Sequence, residues 1–208
     1  MINKNIFDDG KKLPVMEEFY SIQGEGFNMG KAAYFLRIGG CDVGCAWCDS
    51  KESWNAELFP PVDIDPIIER IASTPSKTVV VTGGEPSNYP LDYLTKKLKA
   101  HGITTMLETS GTNPLTGLWD WICLSPKPFQ PPVEEYFLKA DELKVIIQKP
   151  SDLRWAEKNA ANVKKSCHLF LQPEWSVAKE LMETITNYVM KNPQWRVSLQ
   201  AHKYMNIP

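Results

Sequence analysis

The sequence has no long apolar run, no excess of charge of one sign, and few cysteines and histidines. No apolar stretch approaches the roughly 20 residues of a membrane-spanning helix. Residues 1–5 are polar and lack the apolar core of a signal peptide, so we expect neither membrane insertion nor export. A net charge of −2 gives no electrostatic basis for nucleic acid as the main partner. Five cysteines cannot all pair within one chain, and we expect free thiols in a reducing cytoplasm.

Three of the five cysteines, Cys41, Cys45 and Cys48, fall within eight residues and follow a pair of glycines. Three thiolates are one fewer than a structural zinc site or a simple four-iron cluster usually takes. A four-iron cluster held by three thiolates leaves one iron open to bind and reduce a ligand. Glycines permit the positive φ angles that a loop around such a cluster needs. The alternative is a zinc knuckle completed by a distant ligand such as Cys123, Cys167 or a histidine.

The rest of the chain alternates apolar strands with amphipathic helices. The patterns predict strands at 33–38, 78–81, 103–107, 121–124, 143–147, 168–171 and 196–199, and helices at 66–72, 92–100, 151–163 and 176–190. Strands joined by crossover helices form parallel sheets, and these are too few for a closed eight-stranded barrel. We therefore predict an α/β fold, an open or partial (βα) barrel of about six parallel strands in a single domain over residues 1–208.

Small and polar residues follow most of these strands. They occupy 82–86, 108–112, 125–127, 172–174 and 200–203, and the cysteine loop follows the strand at 33–38. The carboxyl ends of parallel strands meet at one edge of a sheet, where ligands bind in α/β proteins. We expect one rim to carry the cysteine site together with several hydrogen-bonding loops.

The cysteine loop and the Gly-Gly-Glu-Pro sequence at 83–86 together resemble the radical S-adenosylmethionine superfamily. Further motifs at 20–26, 35–37, 48–50, 108–112, 125–127, 172–173 and 200–204 resemble the 7-carboxy-7-deazaguanine synthase family of queuosine and deazapurine biosynthesis, from about residue 15 to the C-terminus. The resemblance implies the radical S-adenosylmethionine partial-barrel fold. It also implies a ring-contracting lyase that converts 6-carboxy-5,6,7,8-tetrahydropterin to 7-carboxy-7-deazaguanine with loss of ammonia.

The resemblance also implies the cofactors and partners. These are a [4Fe–4S] cluster, S-adenosylmethionine and Mg²⁺, with an external electron donor such as flavodoxin and a homodimer. Cys41, Cys45 and Cys48 match the cluster ligands, and Ser50 matches the magnesium ligand. The positions that match S-adenosylmethionine binding are Gly84, Ser110, Ser125, Pro126, Lys127, Gln172, Pro173, Glu174 and Trp175. The positions that match pterin binding are Ile22, Gln23, Gly24, Glu25, Arg37, Thr82, His202 and Pro208.

Several of these residues also carry a chemical reason of their own. Arg37 is a charge inside an apolar strand, so it needs a buried anion or a route to solvent, and a substrate carboxylate would supply the anion. The alternative is a surface arginine on an edge strand. Gln23 and Glu25 suit the donor-rich edge of a pterin, and the Gly-Gly-Glu-Pro loop, with its glutamate and bare carbonyls, suits an ammonium group. Ser50 stands where the family usually has threonine, and Ser110 where it usually has asparagine.

Two other functions share part of this pattern. A glycyl-radical activase would have the same cysteines and Gly-Gly-Glu-Pro loop, but it would need a groove for a peptide and not Arg37 or Glu25. A non-enzymatic iron–sulfur or zinc module would need only the cysteines. His101 and His168 are expected to be structural, and Cys123 and Cys167 to be buried small hydrophobes.

Overall fold

The seven predicted strands and one further strand assemble into one sheet of eight strands in a computed structural model, which describes residues 4–208. The strands of this sheet are β2 (Val15–Ile22), β3 (Ala32–Ile38), β5 (Thr78–Gly83), β6 (Thr104–Thr109), β7 (Trp121–Leu124), β8 (Glu142–Ile147), β9 (His168–Pro173) and β10 (Trp195–Val197), while β1 (Lys12–Leu13) and β4 (Val62–Asp63) pair separately. The α-helices are α1 (Asp65–Ser73), α2 (Asp92–Ala100), α3 (Glu134–Lys139), α4 (Asp152–Ala160), α5 (Ala178–Lys191) and α6 (Ala201–Met205). Short 3₁₀ helices cover Lys4–Gly10, Lys51–Trp54, Ala56–Leu58, Pro86–Asn88 and Trp175–Val177.

The sheet is mostly parallel, as predicted. Its order is β10-β9-β8-β7-β6-β5-β3-β2, and the seven strands from β10 to β3 run parallel. The eighth, β2, pairs antiparallel with β3 and was not predicted. Its sequence has two adjacent glutamates and no clean alternation, and its residues are half-buried or exposed throughout. Such an edge strand is specified by its partner more than by its own pattern.

The helices cover the outer face of the sheet, and the inner face carries polar groups beside a small apolar cluster of Ala33, Phe35 and Val80. Leu143, Val145 and Ile147 of β8 point into an outer hydrophobic cluster with α3, α4 and α5. Successive side chains of a strand point to opposite faces, so Lys144 and Ile146 point inward, and both line the inner cavity. The two-residue period of the strands thus places buried charge on the concave side.

The two edges of the sheet approach each other through the segments that follow β2 and β10. Ala201 N donates to Gly24 O at 2.8 Å, and Gly26 N donates to the Ser198 hydroxyl at 3.0 Å. These bonds bridge the gap that strand pairing leaves open among the described residues. The sheet is therefore a partial barrel rather than a flat sheet or a closed barrel.

Several local predictions differ from the structure. The helix predicted to reach residue 163 ends at Ala160, and Ser151 makes no capping bond there. The carboxylate of Asp152 accepts from the backbone N–H groups of Gln148 and Lys149 instead, which holds the preceding turn. The last strand ends at Val197, and residues 201–205 form α6, where a loop was predicted.

Two observations bear on the predicted location. No helix among residues 4–208 combines the length and the apolar character needed to cross a membrane. The expectation of no export signal falls largely on residues 1–3, which lie outside the described residues.

Candidate active site

A cavity of about 250 Å³ opens at the carboxyl ends of the parallel strands and collects nearly all the predicted site residues. The predicted residues that line it are Ile22, Gln23, Gly24, Glu25, Arg37, Cys41, Cys45, Cys48, Ser50, Thr82, Gly84, Ser110, Ser125, Lys127, Gln172, Pro173, Glu174, Trp175, His202 and Pro208. Pro126 does not line it, although both of its neighbours do. A concave site with convergent polar groups is the expected form of a small-molecule site.

The three clustered cysteines lie on the loop after β3 and all line this cavity. Gly40 N donates to Ser53 O at 2.6 Å and Cys48 N donates to Cys45 O at 2.9 Å, so the loop is folded back on itself. Gly40 has a φ of +94°, a value that suits glycine and strains other residues. The glycine before the first cysteine is therefore required by the turn, as the sequence indicated.

The other two cysteines cannot complete a four-thiolate site. Cys167 packs in the outer hydrophobic cluster, and Cys123 faces a separate cavity of about 10 Å³ below the main one. Within residues 4–208, no three His, Cys, Asp or Glu side chains converge on a position for one metal ion. A tetrahedral zinc site requires such convergence, whereas a four-iron cluster takes each thiolate on a different iron. The donor set therefore fits a cluster better than a zinc knuckle.

The loop after β5 lies directly against the cysteine loop. Gly84 N donates to Ile38 O at 2.8 Å and Glu85 N donates to Gly40 O at 2.9 Å. A Cβ atom on Gly84 would stand 2.3 Å from Gly40 O. The absence of a side chain at Gly84 thus allows the two backbone segments to touch.

Glu85 does not have the role that the sequence suggested. Its Oε2 accepts from Ser110 N at 2.8 Å and Ser110 Oγ at 2.5 Å, and its Oε1 accepts from Thr109 Oγ1 and from Ser87 N at 3.0 Å. Both oxygens are saturated, so this carboxylate joins the loops after β5 and β6 and does not offer itself to a ligand.

Lys127 is buried beside the cysteine loop. Its Nζ donates to Ser125 O at 2.5 Å and to Ser125 Oγ at 2.9 Å, and it lies 5.7 Å from the centre of the Trp47 ring. Burial lowers the pKa of Lys127, while the nearby Cys45 and Glu85 oppose that change. A cation placed here raises the local potential around the thiolates and suits an anionic ligand.

Arg37 lies at the carboxyl end of β3 with 27% of its side chain exposed, so it is not a surface arginine. Its Nε is 2.9 Å from Glu17 Oε1, but the N–H does not point at that oxygen and has no hydrogen-bond partner among residues 4–208. The guanidinium also lies 5.8 Å from the centre of the Phe19 ring. Arg37 is thus held in place from two sides and retains unused donors.

Lys144 and Glu108, which were not among the predicted site residues, lie at the base of the cavity. Lys144 Nζ is 2.5 Å from Glu25 Oε2 and 3.5 Å from Glu108 Oε2, and Gln23 Nε2 donates to Glu108 Oε1 at 2.8 Å. Burial by itself would raise the pKa of Glu25, but the charge and hydrogen bond of Lys144 outweigh burial and lower it to about 2. Glu25 is therefore an ionised acceptor. Lys144 is a charge within an apolar strand, so the signal that identified Arg37 could also have identified it.

His202 and Pro208 close the cavity from the C-terminal end of the chain. His202, on α6, packs so closely on Gly24 that a Cβ there would lie 2.3 Å from its Nδ1. Burial lowers the pKa of His202, which favours the neutral imidazole. Ser21 Oγ donates to the carbonyl oxygen of Pro208 at 3.3 Å, which brings the chain end to the rim.

Comparison with known proteins agrees with this geometry. Residues 36–124 match the family model of the Radical SAM superfamily. The chain is 56% identical over 211 residues to a 7-carboxy-7-deazaguanine synthase of Flavobacterium psychrophilum, with all of both chains covered. It is 44% identical over 194 residues to the enzyme of that name from Synechocystis, with 93% of each covered. The chain belongs to the 7-carboxy-7-deazaguanine synthase family. A crystal structure of QueE from Escherichia coli superposes with a TM-score of 0.79 at 28% identity, covering 96% of this chain and 99% of that one.

A 7-carboxy-7-deazaguanine synthase of the radical S-adenosylmethionine type carries a [4Fe–4S] cluster and S-adenosylmethionine as cofactors. The residues of this chain fit both groups. Three cavity-lining thiols with no fourth cysteine nearby leave one iron for a ligand, and the close backbone contact at Gly84 opens the wall beside them to a cofactor.

Ser50 occupies the place of the usual family threonine next to the third cysteine. It stands at the start of the 3₁₀ helix Lys51–Trp54 but makes no capping bond with its side chain. Its hydroxyl is 3.5 Å from Asp49 Oδ1, at the limit of a hydrogen bond, and it lines the cavity. Because the hydroxyl makes no capping bond, it is available to a ligand.

Proposed function

We propose that this protein converts 6-carboxy-5,6,7,8-tetrahydropterin to 7-carboxy-7-deazaguanine with release of ammonia, a step in queuosine and deazapurine biosynthesis. The observation that carries the proposal is the placing of two opposite kinds of recognition group in one cavity beside the cysteine loop. Arg37 supplies unused guanidinium donors, and Glu25 supplies an ionised acceptor. A carboxypterin has a carboxylate for the first and an aminopyrimidinone edge rich in N–H groups for the second.

When bound, the cluster and S-adenosylmethionine supply a carbon-centred radical that removes a hydrogen atom from the pterin. The chain's own residues bind and orient the reactants. Cys41, Cys45 and Cys48 hold the cluster. S-adenosylmethionine is held by Gly84, Ser110, Ser125, Pro126, Lys127, Gln172, Pro173, Glu174 and Trp175. Lys127 places a positive charge near the ligand's carboxylate.

The pterin is bound by Ile22, Gln23, Gly24, Glu25, Arg37, Thr82, His202 and Pro208. A guanidinium binds a carboxylate in a planar, two-point contact, and the Phe19 ring under Arg37 sets the plane of that contact. The carboxylate of Glu25 accepts N–H groups at the opposite end of the substrate. Two fixed ends leave one orientation for the ring carbon that loses hydrogen, which is the contribution that positioning makes to such a step.

Mg²⁺ is held by the Ser50 hydroxyl, with the substrate and water supplying the other ligands. Mg²⁺ takes oxygen donors and often only one or two from protein. Ser50 would hold the ion in the cavity, where it would supply Lewis-acid chemistry for the ring contraction. We also propose an external one-electron donor such as flavodoxin and a homodimer, both on family resemblance alone.

Anaerobic reconstitution with iron and sulfide, followed by turnover with the carboxypterin, tests the function. We expect 7-carboxy-7-deazaguanine to form only with the pterin, S-adenosylmethionine and a reductant all present. A protein that cleaves S-adenosylmethionine but leaves the pterin unchanged would indicate another radical enzyme, such as a glycyl-radical activase. A protein that does not respond to S-adenosylmethionine would indicate a non-enzymatic metal module.

A further inference from the structure

Lys144 is a buried charge that the sequence motifs do not explain. Its side chain is 5% exposed, and it stands on the inward face of β8 between two apolar neighbours that point outward. A lysine is almost never buried unless it is paired. Here the partners are Glu25, on the loop after β2, and Glu108, at the end of β6. Three charges from three separate elements therefore meet at the base of the cavity.

The titratable groups around Lys144 are nearly all acidic. Glu25 and Glu108 contact Lys144 at the cavity floor, Glu142 lies on β8 with it, and Cys123 faces it from β7. These acidic charges outweigh burial and hold the pKa of Lys144 well above its ordinary value. His202 on α6 lies near enough to Glu25 to interact with its charge, while Lys127 after β7 contacts Ser125 and Arg37 on β3 contacts Glu17. Lys144 is thus the cation that balances Glu25 and Glu108.

The alternative explanation is that Lys144 has only a structural role and fills space at the base of the cavity. Replacing a buried ion pair by apolar residues can be neutral for stability, so a structural role alone would not require a lysine here. The carboxylates of Glu25 and Glu108, however, face the cavity, and both contact the Lys144 side chain. Gln23 donates to Glu108 through Nε2 and accepts from Glu25 N at 3.1 Å through Oε1. The four residues form one closed set of contacts.

We propose that Lys144 is a positioning residue that holds the carboxylates of Glu25 and Glu108 aimed into the cavity as acceptors for the N–H groups of the pterin's aminopyrimidinone edge. This inference rests on the proposed function and specifies how that end of the substrate is selected. Without Lys144, two carboxylates would share one buried floor, and like charges at such distances do not both remain ionised. Glu25, the more buried of the two, would then take up a proton more readily and turn from acceptor to donor, which mismatches a donor edge.

The test is pterin affinity as a function of pH, measured by anaerobic calorimetry on the reconstituted enzyme with S-adenosylmethionine present. The probe is the oxidised 6-carboxypterin, which has the same carboxylate and aminopyrimidinone groups. The quantity compared is the ratio of the Kd of a variant to that of the wild type at each pH, because the titration of the ligand itself cancels in that ratio. The variants are Lys144→Met, Lys144→Arg, Glu108→Gln and the double variant Lys144→Met/Glu108→Gln.

We expect Lys144→Met to weaken binding by roughly tenfold or more at pH 7, the cost of losing a hydrogen bond to a charged acceptor. The ratio of the variant Kd to the wild-type Kd should fall as pH rises from about 6 to about 9, because the protonated carboxylate at the cavity floor loses its proton over that range. Lys144→Arg keeps the charge and should give a flat ratio. A pH-independent ratio for Lys144→Met would overturn the proposal, since a residue that only fills space does not change which groups titrate.

A second comparison covers the outcome in which Lys144→Met does not fold. The double variant has the same net charge at the cavity floor as the wild type, and its matched control is Glu108→Gln, in which Glu25 still has Lys144. We expect a flat ratio for Glu108→Gln and a pH-dependent one for the double variant, because the buried Glu25 carboxylate then has no cation beside it and burial alone raises its pKa. Parallel curves for these two proteins would also overturn the proposal. Wild-type enzyme that fails to bind the probe or to turn over the carboxypterin would instead contradict the proposed function.

Discussion

Replacement of Gly84 by alanine tests whether the contact between the two cofactor loops shapes the site. The backbone of Gly84 is not in the left-handed region, so alanine is compatible with its φ angle and only the added methyl group matters. That methyl carbon would lie 2.3 Å from Gly40 O and 2.7 Å from Gly40 C. Both are backbone atoms and cannot rotate away. One loop must therefore move, and Glu85 N would lose its 2.9 Å bond to the same oxygen.

The loss in the free energy of unfolding of Gly84→Ala has two contributions, the steric overlap and the lost hydrogen bond. Overpacking of a tight site costs about 1–3 kcal/mol, and a buried N–H left without a partner costs about 1–3 kcal/mol. A combined loss of about 3 kcal/mol in the free energy of unfolding corresponds to a fall in Tm of roughly 6–12 °C for a chain of this length. Displacement of a cofactor wall by about 1 Å lowers turnover by on the order of 100-fold.

The assay combines thermal unfolding with S-adenosylmethionine binding and turnover after anaerobic reconstitution. Iron content should stay unchanged, because the three cysteines are intact. The matched control is Gly30→Ala, where φ is +87° but nothing lies within 4 Å of the added Cβ. This control should lose about 1 kcal/mol from backbone strain and keep its affinity for S-adenosylmethionine. Gly84→Ala protein with wild-type affinity and a Tm within about 2 °C of wild type would refute the steric reasoning.

Three further outcomes are expected. Arg37→Lys keeps the charge but loses the planar two-point contact, so kcat/KM for the pterin should fall about 10–100-fold with S-adenosylmethionine affinity unchanged; equal losses for both ligands would mean that Arg37 is structural. Ser50→Ala should lower turnover and weaken its Mg²⁺ dependence while the cluster spectrum is retained, and Ser50→Thr should be tolerated; a magnesium titration identical to wild type would show that Ser50 is not a ligand. Cys48→Ala should abolish S-adenosylmethionine cleavage, whereas Cys123→Ala should preserve it, and turnover by Cys48→Ala would contradict the cluster assignment.

Much of the fold could be predicted because it is local. A β-branched run such as residues 78–81 and an amphipathic segment such as 92–100 declare their period within a few residues, and Gly102 ends the second with a φ of +68°. The edge strand β2 was missed because its residues are half-buried on both faces, so no alternating pattern marks it. Its existence depends on β3, a partner supplied by the rest of the sheet.

The candidate site divides in the same way. Cysteine spacing, the Gly-Gly-Glu-Pro loop and the polar residues after each strand are contiguous in sequence, and the carboxyl ends of parallel strands must meet at one edge. Those facts sufficed to predict which loops line the cavity and which family the chain resembles. The roles of Glu85 and Lys144 were not available in this way. Glu85 is saturated by Thr109 and Ser110, 24 and 25 residues away, and Lys144 reaches Glu25 across 119 residues.

Which partner a buried charge finds depends on how far the sheet curls. The curvature brings the loop after β2 over the inner ends of β6 and β8, and only then do Glu25, Glu108 and Lys144 come within 4 Å contact distances. Twist and closure are collective results of packing two hydrophobic clusters on the outer face, and no short segment encodes them. The amino-acid sequence by itself determined the chemistry that this chain can hold, and the tertiary structure alone decided which charges face the substrate and which hold the loops together.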